Sequence, residues 1–283
     1  SSGNLTMNGT ATMTGTATLT IAGSLTLNGN SQVSTGTYTV AGTFSVPVGQ
    51  IGTFGGIDIT INGTTSIGGY FYLGISGTGT KRFNNTITVN AGGTWDNIVG
   101  EDPIVNCSIV NSGSWPVPTG GNGRYNVTTG GPYTYTGNTE IAMTRLNIQN
   151  GFTSTVTNLG ILRLSKNGPD ALTVQNAAAT FFNGDGVANA LLRLASFPTS
   201  VDAGGNGTAN FSPTNNTVEY LYGGNQNVFA TTYYNLTFST SGIKTLQGAT
   251  TVTHTLTIQN SAILDANTQT LNGAANLIMT GTS

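Results

Sequence analysis

The sequence predicts an all-β chain wound as a parallel β-solenoid, and three observations lead there. Apolar residues alternate with Thr in runs of a few residues, and Gly or Asn-Gly closes each run. A segment early in the chain also recurs late in it, interrupted by one strand-sized insertion. Alternation puts successive side chains on opposite faces of a strand, so each run offers one face to a core and one to water.

The first residues set the pattern. Leu5/Met7, Met13, Leu19/Ile21 and Leu25/Leu27 alternate with Thr, and Gly9, Gly15, Gly23 and Gly29 end the units. Further on, Ile57/Ile59/Ile61, Ile87/Val89, Leu146/Ile148, Leu162/Leu164, Leu172/Val174, Leu236/Phe238 and Leu256/Ile258 keep the same period of two. The stretch at 177–195 has some helical character, but its Gly and Asn favour strand, loop and strand.

The internal repeat aligns YFYLGISGTGTKRF at 70–83 with YYNLTFSTSGIKTL at 233–246, placing Tyr70 on Tyr233, Leu73 on Leu236, Lys81 on Lys244 and Phe83 on Leu246. It runs on to Val252, skips THTLTI at 253–258, and resumes with NAGGTWD (90–96) against QNSAILD (259–265). That insertion is the length of one strand plus its turn, so it reads as an extra side added to a coil. In such a coil every strand bonds to the coils above and below, apolar residues stack inward, and Gly or Asn turns the corners. Coils of roughly 20 residues would make about 14 turns of this chain. The sequence divides into a regular region at 1–96, a less regular one at 97–217 that holds most of the Pro and charge, and a second regular region at 218–283. Tandem antiparallel β-sandwiches are the alternative architecture for so many short strands.

Composition narrows the function. Charged residues make up only 6% and the net charge is −2, so Thr, Ser and Asn supply the surface. Eight Lys and Arg scattered along the chain make no nucleic-acid footprint. No apolar run reaches the length of a membrane span. Ser1 in place of a Met start reads as a processed or partial chain. The single cysteine, Cys107, is expected as a packed strand thiol.

The segment at 218–273 carries YYNLTFSTSGIKTL, then TVTHTLTI, then AILD and TLNG, and it resembles the repeat segments of large secreted surface proteins of Bacteroidetes-type bacteria. FNNTITVNAGGTWDN at 83–97 is similar to another part of the same family. The resemblance implies an extracellular, cell-surface or matrix protein used as a stalk, adhesin or fibre, without catalysis. No cofactor is expected.

The residues themselves point away from a catalytic cluster. Glu101 and Asp102 are the only adjacent acids, and they read as solvated turn residues before Pro103. Asp96 and Asp265 fall at equivalent repeat positions and suit corner caps that accept backbone N–H groups. His254, the only histidine, reads as an exposed corner. NGDG at 183–186 has the look of a calcium loop but lacks the other acidic ligands. Tyr133/Tyr135, Tyr220/Tyr222 and Tyr233-Tyr234 fit cross-coil packing, with sugar stacking as the functional alternative. Trp95 and Trp115 read as core anchors. The Thr run at 10–20 invites an ice-binding reading, which its Gly breaks oppose.

Neither end of the sequence shows a polar cap, and uncapped strand edges pair with other strands. The expected self-association residues are therefore Leu5, Met7, Leu271, Leu277 and Met279, and the expected partner is the chain itself, head to tail. Surface glycans are the second class of partner.

Overall fold

Corners made of Gly and Asn keep each apolar run short, and a short run with one apolar face must find its ladder in a neighbouring coil. The computed structural model describes residues 3–74, 79–97, 101–118, 123–149, 154–165, 170–196, 201–202, 207–273 and 276–281, and the statements below concern those residues. They contain strands, turns and bends but no helix. Successive coils pair parallel and in register: Leu5 with Leu25, Leu25 with Phe44, Phe44 with Thr65, Thr65 with Ile87, and Ile87 with Ile109. The chain is a parallel β-solenoid of about 12 turns, and the antiparallel sandwich alternative falls away.

The turns are fewer than the sequence suggests because the coil length is not constant. The five pairs just named are closely and almost evenly spaced along the chain. In the less regular region the coils lengthen: Thr155 pairs with Thr180, Leu172 with Val201, and Ile161 with Leu191. They contract again where Thr217 meets Asn235 and Asn235 meets Thr255.

Two compact units make up the chain, one of residues 1–128 with 135–144 and one of 129–134 with 145–283. In the first unit the core is an aromatic stack. Phe44, Phe54, Phe71 and Trp95 follow one another with ring centroids 4.8 to 5.1 Å apart, and Trp95 lies flat on Trp115 at 4.8 Å. All five are buried; Phe71, Trp95 and Trp115 come from successive coils, whose rise sets their spacing, whereas Phe44 meets Phe54 from the other sheet. Outside, amides and hydroxyls pair from coil to coil: Asn28 donates to Asn8 at 2.8 Å, Asn84 to Asn62 at 2.9 Å, and Thr26 meets Ser45 at 3.1 Å. The Thr residues from 10 to 20 are likewise exposed, those on strands belonging to the other sheet.

In the second unit the core holds a buried amide ladder. Asn158 donates to Asn183 Oδ1 at 2.8 Å, and Asn183 donates to Asn216 Oδ1 at 3.1 Å. None of the three is solvent exposed. Their amide nitrogens also donate to backbone carbonyls: Asn158 to Leu191, Asn183 to Thr217, and Asn216 to Phe211. A row of amides one coil apart satisfies itself, which is how these polar groups tolerate burial. Residues 180–183 and 190–194 form strands joined by a loop, as the Gly and Asn content predicts.

The insertion at 253–258 is not an extra side. These residues lie inside one continuous strand, Thr250–Gln259, with no turn of their own. The register against Thr232–Phe238 shifts between Tyr233 and Asn235: Tyr233 pairs with Val252, and Asn235 with Thr255. Tyr234 therefore faces both Thr253 and His254, which makes a β-bulge. The length gained goes into a longer strand: Thr255–Ile258 pair with Asn235–Phe238, and the bulge takes up the one residue left over.

Candidate functional site

Apolar columns decide what the sheet edges can do. In the second unit Val218, Leu236, Leu256 and Leu277 form one column, and Tyr220, Phe238, Ile258 and Met279 form the next. Val218, Tyr220, Leu236 and Phe238 are fully buried. The last member of each column stands on Asn276–Thr280, an edge strand paired through Thr250–Gln259. Leu277 is 61% exposed and Met279 is 71% exposed. Ile258, Ile263 and Met279 line an apolar groove of about 550 Å³ at this edge. Leu271 is 37% exposed on the short Leu271–Asn272 strand beside them.

Leu5–Asn8, in the first unit, is also an edge strand, hydrogen-bonded to Leu25–Asn28. Leu5 N donates to Ser24 O at 2.8 Å and Gly9 N donates to Asn28 O at 2.9 Å. Leu5 is half-buried, and Met7, in register with Leu27, is only 6% exposed, unlike Leu277 and Met279. Both edges thus present a Leu-x-Met pair, Leu5/Met7 and Leu277/Met279, with the two residues on the same face of the strand. Two further exposed residues, Ile263 and Ile278, escaped the sequence reading. Their signal was present: Ile263 adjoins Leu264 and Ile278 sits between Leu277 and Met279, where strict alternation breaks.

The acidic residues fall differently from expectation. Glu101 is not a solvated turn residue: it is 8% exposed, and its Oε2 lies 2.9 Å from the buried Lys81 ammonium. Asn97 fixes the Glu101 backbone from both sides, accepting from its N–H and donating to its carbonyl, each at 3.0 Å. Asp102 is exposed and accepts Arg124 N at 2.6 Å. Asp265 caps its corner by accepting Asn267 N at 2.9 Å. Asp96 instead is buried and accepts the Tyr70 hydroxyl, which contributes to holding the Tyr70 phenol up at about 12, after burial itself. Asp185 accepts Val187 N and Ala188 N at 2.8 and 2.9 Å, bonds that hold its pKa below the usual range.

Lys244 matches Lys81 in the repeat and is buried as well, but it is held by carbonyls. Its ammonium donates to the oxygens of Tyr222, Gly224 and Ser241 at 2.6, 2.9 and 3.2 Å. Burial pulls its pKa down to about 8. Cys107 is buried in a bend rather than in a strand, and burial pushes its thiol up to about 12.

Tyr135, Tyr220 and Tyr233 pack inside, and the Tyr220 and Tyr233 hydroxyls lie 3.0 Å apart. His254 is exposed, but on the bulged strand and not at a corner. Its ring lies on that of Tyr234, 4.7 Å away and 5° from parallel.

The fold and its edges define the chain as a β-solenoid with exposed apolar columns. No protein-family model, curated protein or solved structure matches it.

Proposed function

We propose that the chain is a structural protomer of an extracellular bacterial fibre or surface layer, joined head to tail through its strand edges. One observation carries this reading: the inward columns that are dry at Leu236 and Phe238 run out at Leu277 and Met279 with both side chains exposed. Another Leu-x-Met strand laid on that edge would continue both columns in register, and Leu5/Met7 has that spacing. Contact of this kind combines backbone ladder bonds with apolar burial, the two terms that drive strand addition. The surface of Thr, Ser and Asn and the resemblance to secreted repeat proteins support an extracellular setting.

Deletion of residues 1–29 tests the reading by negative-stain electron microscopy. The full chain should form filaments and the deleted chain should remain monomeric. Filaments that persist after deletion would refute it.

A further inference from the structure

The outer face of the second unit carries a groove that the edge contacts do not use. It has a volume of about 750 Å³ and extends from His254 and Tyr234 across Thr217 and Asn215 to Asn189 and Leu191. These positions come from successive coils: Leu191 pairs with Thr217, Thr217 with Asn235, and Asn235 with Thr255. One bulge creates the groove's aromatic wall. By setting Tyr234 against two residues, it leaves Thr253 and His254 both exposed and brings His254 onto the tyrosine ring, and Tyr234 and Asn235 both lie outside the core.

The wall is held in one orientation. Asn235 Nδ2 donates to Asn216 O at 2.9 Å, so its Oδ1 is the atom that faces His254 Nδ1 at 2.8 Å. A carbonyl oxygen only accepts, so Nδ1 carries a proton, with Thr255 Oγ1 also 3.0 Å away, and in the neutral ring Nε2 is an acceptor. Asn216 is the last rung of the buried amide ladder, so the wall is tied to the rigid core. Among the described residues, no ring extends the stack past Tyr234 toward Asn215 and Thr217. Glu219, the one carboxylate among the described residues lining the groove, accepts from Arg193 Nε at 3.0 Å, which cancels its charge.

We infer that this groove binds a neutral oligosaccharide, with a sugar ring stacked on Tyr234 and its hydroxyls bonded by Asn189, Asn215 and His254 Nε2. A pyranose has a C–H face that suits an aromatic ring and an edge of hydroxyls that both donate and accept. The groove offers one flat ring, amides of both polarities and a neutralised carboxylate, and that combination selects a neutral sugar over an anionic one. The inference does not depend on end-to-end assembly, since none of its residues lies on an edge strand.

A glycan array of neutral hexose and N-acetylhexosamine oligosaccharides, with heparin as a charged control, tests it. The full chain should retain at least one neutral oligosaccharide and not heparin. Tyr234→Ala should weaken that retention about tenfold, and Tyr234→Phe should restore it. Circular dichroism confirms that each variant is folded. Absence of neutral binding, heparin binding alone, or equal binding by a folded Tyr234→Ala variant would overturn the inference. So would Tyr234-dependent lateral association in light scattering without glycan binding, which would make this face a contact between copies.

Discussion

Thr65 sits in a column of hydrophobes, between Phe44 and Ile87, and is 1% exposed. Its hydroxyl finds no hydrogen-bond partner among the described residues. A buried hydroxyl without a partner costs its lost hydration, and Val has the same shape without that cost. Thr65→Val should therefore stabilise the first unit by about 1 kcal/mol, read as a higher urea midpoint. A lower midpoint would mean that the hydroxyl is satisfied. Lys244 gives a pH signature. Its folded pKa of about 8 lies below the ordinary 10.5, so between those values the unfolded chain holds a proton that the folded chain has released. Its contribution to stability rises from pH 8 to 10.5. Cys107 opposes it: the folded thiol keeps its proton up to about 12, whereas the free thiol loses it near 9.0, so that contribution falls above pH 9. Comparison with Lys244→Met isolates the lysine. The difference in urea midpoint should move in favour of the native chain from pH 8 to 10.5. A flat difference would show that the three carbonyls keep the ammonium charged. Lysine in both repeat copies was legible in the sequence. That one meets Glu101 and the other a set of carbonyls was not, because partners one coil apart depend on coil length.

Corners show how an element is specified. Gly137 has φ of +127°, and a methyl there would land on the Asn111 carbonyl oxygen of the coil below. Gly92 also has positive φ, at +82°, but nothing lies within 4 Å of where a methyl would go. Gly92→Ala should cost about 1 kcal/mol, the penalty of the left-handed backbone alone. Gly137→Ala should cost roughly 3 kcal/mol or more, because the two coils must also part. Thermal denaturation of both variants checks this, and equal losses would mean that coil stacking tolerates the methyl. From sequence the two glycines look alike, each closing an apolar run. Strand period and burial were equally plain for Leu236/Phe238 and Ile87/Val89. The Asn158–Asn183–Asn216 ladder was not: each Asn ends or begins an apolar run, where a solvated corner is the simpler reading, and only stacking with equal residues makes its burial tolerable.

For the whole molecule, the open question of assembly reduces to two side chains. Leu277→Asp with Met279→Asp places two charges at the ends of the apolar columns, where continued stacking would bury them without partners. Filaments should disappear while far-UV circular dichroism stays native, since both residues are already exposed. Filaments that survive would move the contact elsewhere. The period of two, the Gly and Asn corners and the scarcity of charge determined, from sequence alone, that this chain is all-β and coiled; each acts within a few residues, where backbone sterics and hydropathy decide. Coil length, the conversion of 253–258 into a bulged strand, the burial of Glu101 and the meeting of Tyr234 with His254 were decided only by the tertiary structure. In a solenoid a residue's neighbours lie one turn away, so a small change in the length of any corner shifts every pairing that follows.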